Sequence, residues 1–322
     1  MATIVFVTDF PDAAVVAKDM APPDFDLVIV PAGSSEYLEA MAGAEYLVGF
    51  VDGLINDALF RCGPNLKLVQ LLSAGYEKAD MDAARQAGVP VANNGGANSV
   101  AVSEHVLMLL LAVSRQLILQ HANVIAGRWR GNSVPRVYEL RGKTLGIVGL
   151  GTIGKKTARL AQAFGMDVIY YDIERLGEDA EDLLDVRFRL FRELLGLSDV
   201  VSLHTPLDVS TYHMIGEAEL ALMKPSAMLI NTARGPVVNE ADLYDALAAG
   251  NIAGAGLDVY DPEPPAADNP LYSLNNVVLT AHMAGPTFES NIARVRNAFD
   301  NVQRVASGKE PFWLVSTPPP RQ

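Results

Sequence analysis

"TLGIVGLGTIGKKTARLAQAFGMDVIYYD", residues 144–172, is the stretch whose reading decides the fold. Residues 144–148 read as a buried strand. Gly149, Gly151 and Gly154 follow at once, then a helical pattern over 155–164, then a second strand over 168–171 that ends in Asp172. Each part has a physical task. Gly149 permits a tight turn, Gly151 lets the backbone approach a pyrophosphate, and Gly154 lets the helix pack close to the sheet. The helix start offers unpaired N–H groups and the positive end of a dipole to phosphates. Asp172, roughly 20 residues beyond the glycines, can accept from both hydroxyls of an adenosine ribose. A bare Gly-x-Gly-x-x-Gly is weak evidence, because a glycine-rich turn is its ordinary explanation. Here strand, helix, second strand and acid arrive in register, and the signal becomes specific for a dinucleotide. The Asp172 charge would repel a 2′-phosphate, so the stretch predicts NAD(H) over NADP(H). Arg175, close by, reads as a solvated surface residue.

Working outward, strand-like runs alternate with helical patterns over almost the whole chain. A first series comprises "TIVFVT", "FDLVIV", "EYLVGF", "KLVQLL" and "VPVAN". A second comprises "TLGIVG", "DVIYYD", "DVVSLH", "AMLINT", "AGAGLDV" and "NVVLTA". Such alternation predicts α/β layers on parallel sheets. Between the series lies one long helix pattern, residues 100–120, with Asn98 or Ser99 as N-cap. It is followed by "AGRWRGNSVPRVYELRG", which reads as an irregular connection. A second long helix pattern covers 287–307. The proline-rich "STPPPRQ" after it reads as a frayed end. If the last helix crosses back, the first domain is discontinuous.

The bulk numbers bound the function. The chain has 322 residues, half of them hydrophobic and 20% charged, which suits a soluble protein of about two domains. A formal charge of −13 argues against wrapping nucleic acid or lying on an anionic membrane. It leaves room for an anionic substrate at a local positive cluster. The longest apolar run, 106–113, is bounded by Glu104, His105 and Arg115, and reads as a buried helix. "MATIVFVTDF" reads as a first strand, without the basic region or cleavage site of a signal peptide. Cys62 is the only cysteine, so no intrachain disulfide forms and a cytoplasmic location is expected. It reads as a small hydrophobe more readily than as a nucleophile. No His/Cys spacing of a metal site, no Gly-x-Ser-x-Gly elbow and no Walker loop occurs.

If residues 144–280 form a doubly wound sheet, its reacting groups stand just past the strands. Those residues are His204, Arg234, Asp258 and His282, with Glu263 between two prolines. Hydride transfer to a ketone needs a group to hold the substrate, a proton donor and something to tune that donor. Arginine suits the first, because its planar fork takes a carboxylate bidentately. Histidine suits the second, and a neighbouring carboxylate fixes its tautomer. Spacing leaves His204 and His282 equally eligible. His105 and His121, on or beside the long helix, read as structural, and His213 as a surface or packing residue. Tyr76, Trp129 and Arg136 could line a pocket. Packing, linker anchoring and surface charge explain them as well.

Together these residues resemble the D-isomer-specific 2-hydroxyacid dehydrogenases, a family that includes D-lactate, glycerate/hydroxypyruvate, glyoxylate and phosphoglycerate enzymes. The likeness runs in order through "SAGYEKADMDAARQAGVPVAN", "ANSVAVSEHVLMLLLAVSR", "LRGKTLGIVGLGTIG", "SLHTPLDVSTYHMI", "LMKPSAMLINTARGPVVNEADLYDALAAGNIAGAGLDVYDPEP" and "VVLTAHMAG". The resemblance implies two Rossmann-like or flavodoxin-like α/β domains with doubly wound parallel sheets and an active site in the interdomain cleft. The substrate domain would be 1–99 plus 287–322, and the NAD-binding domain 100–286. It implies NAD-dependent interconversion of a small 2-oxo acid, such as glyoxylate or hydroxypyruvate, with its D-2-hydroxy acid, in a cytoplasmic homodimer.

Carried over, Arg234 of "NTARG" binds the substrate carboxylate and carbonyl, His282 of "TAHMAG" is the proton donor, and Glu263 of "DPEP" is its partner. The backbone of Ala74 and Gly75 helps hold the substrate, with Tyr76 beside them. Cofactor contacts fall on Gly149, Gly151, Thr152, Ile153, Gly154, Asp172, His204, Thr205, Thr232, Ala233, Arg234, Asp258, His282 and Gly285. Choosing His282 over His204 rests on the resemblance alone. The family usually has proline before its catalytic histidine, where this chain has Ala281. Two relatives define alternatives. Formate dehydrogenases carry glutamine in place of Glu263. The C-terminal-binding corepressors use the same cofactor fold as an NADH-responsive binding module.

Overall fold

The computed structural model describes residues 1–129 and 136–315. Part of the irregular connection (130–135) and the proline-rich end (316–322) lie outside the described residues. The chain begins β1 (Ala2–Val7), α1 (Pro11–Met20), β2 (Phe25–Val30), α2 (Ser35–Met41), β3 (Tyr46–Gly49), α3 (Asp57–Cys62), β4 (Leu68–Leu71), α4 (Met81–Ala87) and β5 (Val91–Ala92). Two helices follow, α5 (Ser99–Ser114) and α6 (Leu117–Ile125). Then come β6 (Thr144–Val148), α7 (Thr152–Ala163), β7 (Asp167–Tyr171), α8 (Glu178–Leu184), β8 (Val186–Phe188), α9 (Phe191–Leu197) and β9 (Val200–Leu203). The remainder is α10 (Glu217–Leu220), β10 (Met228–Asn231), α11 (Glu240–Ala248), β11 (Gly254–Leu257), β12 (Val277–Leu279) and α12 (Phe288–Ala306).

The chain divides into two compact units, residues 1–98 with 286–322 and residues 99–285. The first holds a five-stranded sheet in the order β2-β1-β3-β4-β5, with every pairing parallel. Such strands are buried on both faces and read as continuous apolar runs. One face packs against α12 through Val295, Ala298, Phe299 and Val302. Thr287 caps α12 by accepting from Ser290 N at 3.1 Å.

The second unit holds a seven-stranded parallel sheet, β8-β7-β6-β9-β10-β11-β12. Numbered within the unit this is 3-2-1-4-5-6-7, so the order reverses between β6 and β9, the crevice position of doubly wound sheets. All seven strands point their carboxyl ends to one edge, which gathers residues far apart in sequence. Helix α5 lies along β11 in matched spacing. Leu109 fills the space over Gly256 and Val113 the space over Gly254, leaving no room for a side chain at either glycine. Four helical residues rise about 6 Å and two strand residues about 6.6 Å. Position 105, one helical step earlier, therefore meets the strand's next inward residue, Asp258.

Two expectations are corrected. The single helix over 100–120 is two helices, bent by 61° at a break after Ser114. Gln116 adopts a left-handed conformation there (φ 49°), and its new direction leaves Leu117, Ile118, Val124 and Ile125 exposed. Strand β8, only three residues long and carrying the exposed Arg187, was not foreseen, because a short edge strand has little apolar signal. Among the described residues no single helix is long and apolar enough to cross a membrane.

Candidate active site

The glycine turn is built by steric exclusion. Gly149 leaves β6 with φ +93°, and a Cβ there would lie 2.9 Å from the backbone carbonyl of His204 on the neighbouring strand. Only glycine lets the two strand ends approach at the switch point. A Cβ on Gly151 would meet no protein atom within 4 Å, so the space before α7 is open. No side chain caps that helix at Gly151. Asp172 Oδ2 accepts from Leu150 N at 2.7 Å, which fixes the carboxylate beside the turn. Arg175 is turned away. Its guanidinium pairs with Glu181 at 2.9 Å, and Glu181 also accepts from the Tyr170 hydroxyl at 2.8 Å. The buried hydroxyls of Thr205 and Thr232, past β9 and β10, have no hydrogen-bond partner among the described residues. Buried polar atoms left unpaired call for a ligand or water. These features fit an adenine dinucleotide: an open glycine turn for the pyrophosphate, an oriented acid for the ribose, and two orphan hydroxyls farther along the edge.

Arg234 follows β10 on a turn clamped by the buried Asn231. Its Oδ1 accepts from Ala233 N at 3.0 Å, and its Nδ2 donates to Arg234 O at 2.9 Å. The next residue, Gly235, lies so close to Tyr260 that a Cβ would sit 1.8 Å from the Tyr260 carbonyl oxygen. Tyr260 in turn holds the two following loops. Its N–H donates to Glu263 Oε1 at 3.0 Å and its hydroxyl to Thr280 O at 2.8 Å. Three loops, bearing Arg234, Glu263 and His282, are thus tied to one buried tyrosine.

Glu263 Oε2 lies 2.8 Å from His282 Nδ1, on side chains 36% and 50% exposed. The carboxylate can only accept when ionised, so Nδ1 carries a proton and Nε2 is the ring nitrogen left to face a substrate. His282 has φ 53°, an uncommon region for a non-glycine residue, and is restrained there. Its N–H donates to Asp258 O at 2.8 Å. Burial alone would push the fully buried Asp258 carboxyl up. The nearby His105 imidazole, with hydrogen bonds from Thr280, Ala284 N and Met283 N, outweighs burial and holds it below the usual carboxylate range.

His204, the other strand-end histidine, sits in different surroundings. Its Nε2 is 3.0 Å from Ser202 Oγ, no carboxylate pairs with it among the described residues, and burial pushes its pKa down to about 4. It is neutral near pH 7 and poorly suited to give up a proton.

In the first unit, Ala74 and Gly75 follow β4. Their carbonyls are taken by Asn93 Nδ2 at 2.7 Å and Ser73 Oγ at 2.7 Å. Tyr76 packs against that unit's core. Trp129 and Arg136 are exposed, as are His121 and His213, the last stacked on Tyr212. Cys62 is partly buried, and burial raises its thiol pKa. Among the described residues no group of three or more His, Cys, Asp or Glu side chains could hold a metal ion. Asn231 and Tyr260 were missed as parts of the site. Asn231 left a trace, as the polar residue ending an otherwise apolar strand.

The doubly wound sheet, the dinucleotide turn and the carboxylate-paired histidine at one edge define a nicotinamide-dependent dehydrogenase. Residues 107–284 match the family described as D-isomer specific 2-hydroxyacid dehydrogenase, NAD binding domain. The chain belongs to the D-isomer specific 2-hydroxyacid dehydrogenase family, and it is an NAD-dependent oxidoreductase acting between 2-oxo acids and 2-hydroxy acids. It is 38% identical to a glyoxylate reductase of Korarchaeum cryptofilum over 93% of this chain and 88% of the relative. Among solved structures it resembles a glyoxylate reductase from Paecilomyes thermophila (30% identity, TM-score 0.86, 98% of each chain). It also resembles D-lactate dehydrogenase with NAD+ from Lactobacillus jensenii, at 26% identity and TM-score 0.82, over 98% of this chain and 100% of that one.

Proposed function

We propose that the protein reduces a small 2-oxo acid of the glyoxylate or hydroxypyruvate type to its 2-hydroxy acid. The relatives named glyoxylate reductase support this size of substrate. The observation that carries the assignment of roles is the 2.8 Å bond between Glu263 and His282 on a loop pinned by Asp258. Arg234 holds the substrate carboxylate and draws charge from its carbonyl. His282, oriented by Glu263 at Nδ1, gives the Nε2 proton to the carbonyl oxygen. NADH, when bound, supplies the hydride to the carbonyl carbon, and the two additions turn C=O into CH–OH. Asp258, Thr205 and Thr232 line the nicotinamide side, with His204, Ala233 and Gly285. Gly149, Gly151, Thr152, Ile153 and Gly154 hold the pyrophosphate, and Asp172 the ribose. Ala74 and Gly75, whose carbonyls are already taken, have backbone N–H groups of the kind a carboxylate accepts. We assign the substrate domain to 1–99 plus 287–322 and the cofactor domain to 100–286.

The test is a panel of 2-oxo acids with NADH and with NADPH, followed by absorbance. The expected result is turnover of a small acid with NADH preferred and, in Arg234→Ala, a drop in kcat/KM on the order of 10²-fold, as for loss of a charged contact. No turnover on any acid would overturn the enzymatic reading. NADPH preference would overturn the role of Asp172.

The exposed apolar residues of α6, with the groove formed by Met108, Leu111, Leu117, Leu160 and Phe164, support a homodimer. Light scattering on Ile118→Glu, expected to be monomeric, tests it. Lone Cys62 supports a reducing, cytoplasmic setting.

A further inference from the structure

His105 stands on α5 with 13% of its side chain exposed, and the roles assigned above leave it without one. Its Nε2 is 2.9 Å from Thr280 Oγ1 and 3.4 Å from Asp258 Oδ1, while Thr280 Oγ1 is 2.5 Å from that same Asp258 oxygen. Counting protons orders these contacts. An ionised carboxylate has none to give, so the one hydroxyl proton of Thr280 points to Asp258. Thr280 Oγ1 must then accept from the imidazole, and His105 carries its proton on Nε2. The chain runs His105 Nε2–H to Thr280 Oγ1–H to Asp258 Oδ1. Asp258 sits at the end of that chain and at the root of the reacting loop. Its two carboxylate oxygens accept from Met283 N and Ala284 N, each at 2.8 Å, and its carbonyl from His282 N at 2.8 Å. The left-handed backbone of His282 persists only where its surroundings over-determine it.

We propose that His105 is a positioning residue for the reduction. Donating through Thr280, it keeps the Asp258 carboxylate turned to the amides of residues 283 and 284 and so holds His282 at its working angle. A histidine merely filling space over β11 would need neither this tautomer nor a donor at this point. The proposal rests on His282 being the proton donor.

The experiment compares His105→Leu, His105→Gln and Thr280→Val with wild type, with His282→Ala assayed alongside. Steady-state kinetics, NADH affinity from fluorescence and the imidazole tautomer from nitrogen-15 NMR are read. The glutamine amide can donate where the imidazole did. His105→Leu and Thr280→Val are expected to lose kcat about tenfold, the scale of a lost supporting partner, with KM and NADH affinity little changed. His105→Gln is expected to recover most of the loss, and the wild-type ring to be protonated at Nε2 when neutral. Wild-type kcat in His105→Leu, equal losses in the leucine and glutamine variants, or an Nδ1–H tautomer would overturn the proposal. If the leucine variant does not fold, Thr280→Val and the tautomer still decide. Inactive His282→Ala beside an unimpaired His105→Leu refutes this proposal alone. An active His282→Ala removes the proton-donor reading and this proposal with it.

Discussion

The loops after β9 and β12 each deliver a histidine to the same edge of the same sheet, yet the structure makes them chemically unlike. His204 is given a serine and a dry environment, and burial holds the ring neutral. His282 is given a carboxylate, solvent access and a strained backbone held by Asp258. Position in the topology makes a residue eligible. The partner supplied by a distant loop decides its chemistry.

The sharpest way to break this contrast is to remove each ring. His282→Ala should lower kcat by about 10²–10⁴-fold, the usual worth of a positioned proton donor, with the fold intact. His204→Asn should keep kcat within about threefold, since a neutral, serine-bonded ring offers no proton. Comparable losses in the two variants would erase the distinction. Making the surroundings of His282 more like those of His204 is the next test. Glu263→Gln keeps the shape but removes the charge, and should cost about 10–100-fold in kcat with NADH affinity unchanged. A variant as fast as wild type would leave Glu263 without a role.

The smallest expected effect is on stability. An unfolded histidine takes up its proton near 6.5, while folded His204 does so only near 4. Between these values the unfolded chain binds more protons, so this contribution is whole above pH 6.5 and lost as the pH falls toward 4. Denaturant midpoints across that window should decline less in His204→Asn than in wild type. Parallel curves would mean that His204 is not held neutral by burial.

The same contrast marks how far the sequence could be read. The strand series, the dinucleotide turn and the candidate strand-end residues were legible because apolar runs, glycine spacing and strand ends are local signals. Asp172, Arg234 and Glu263 could be named from where they fall. The choice between the two histidines was not legible from spacing, because it depends on burial and on a partner 19 residues away across a proline-rich turn. The break in the helix at Gln116 was missed since the apolar pattern resumes at Leu117 after only three polar residues, and the backbone angle reveals the change of direction. His105 looked structural because it lies on the long apolar helix pattern. Its four-residue step from Leu109 was the visible clue, and what it touches was not.

Gly235, pressed against the Tyr260 backbone, has a consequence for change over time. The gap between the arginine turn and the glutamate loop cannot be widened by a side chain at 235, so the two loops are locked as a block. New substrate preferences would have to arise from residues outside that block, and a library randomised at 235 should return only glycine among active clones.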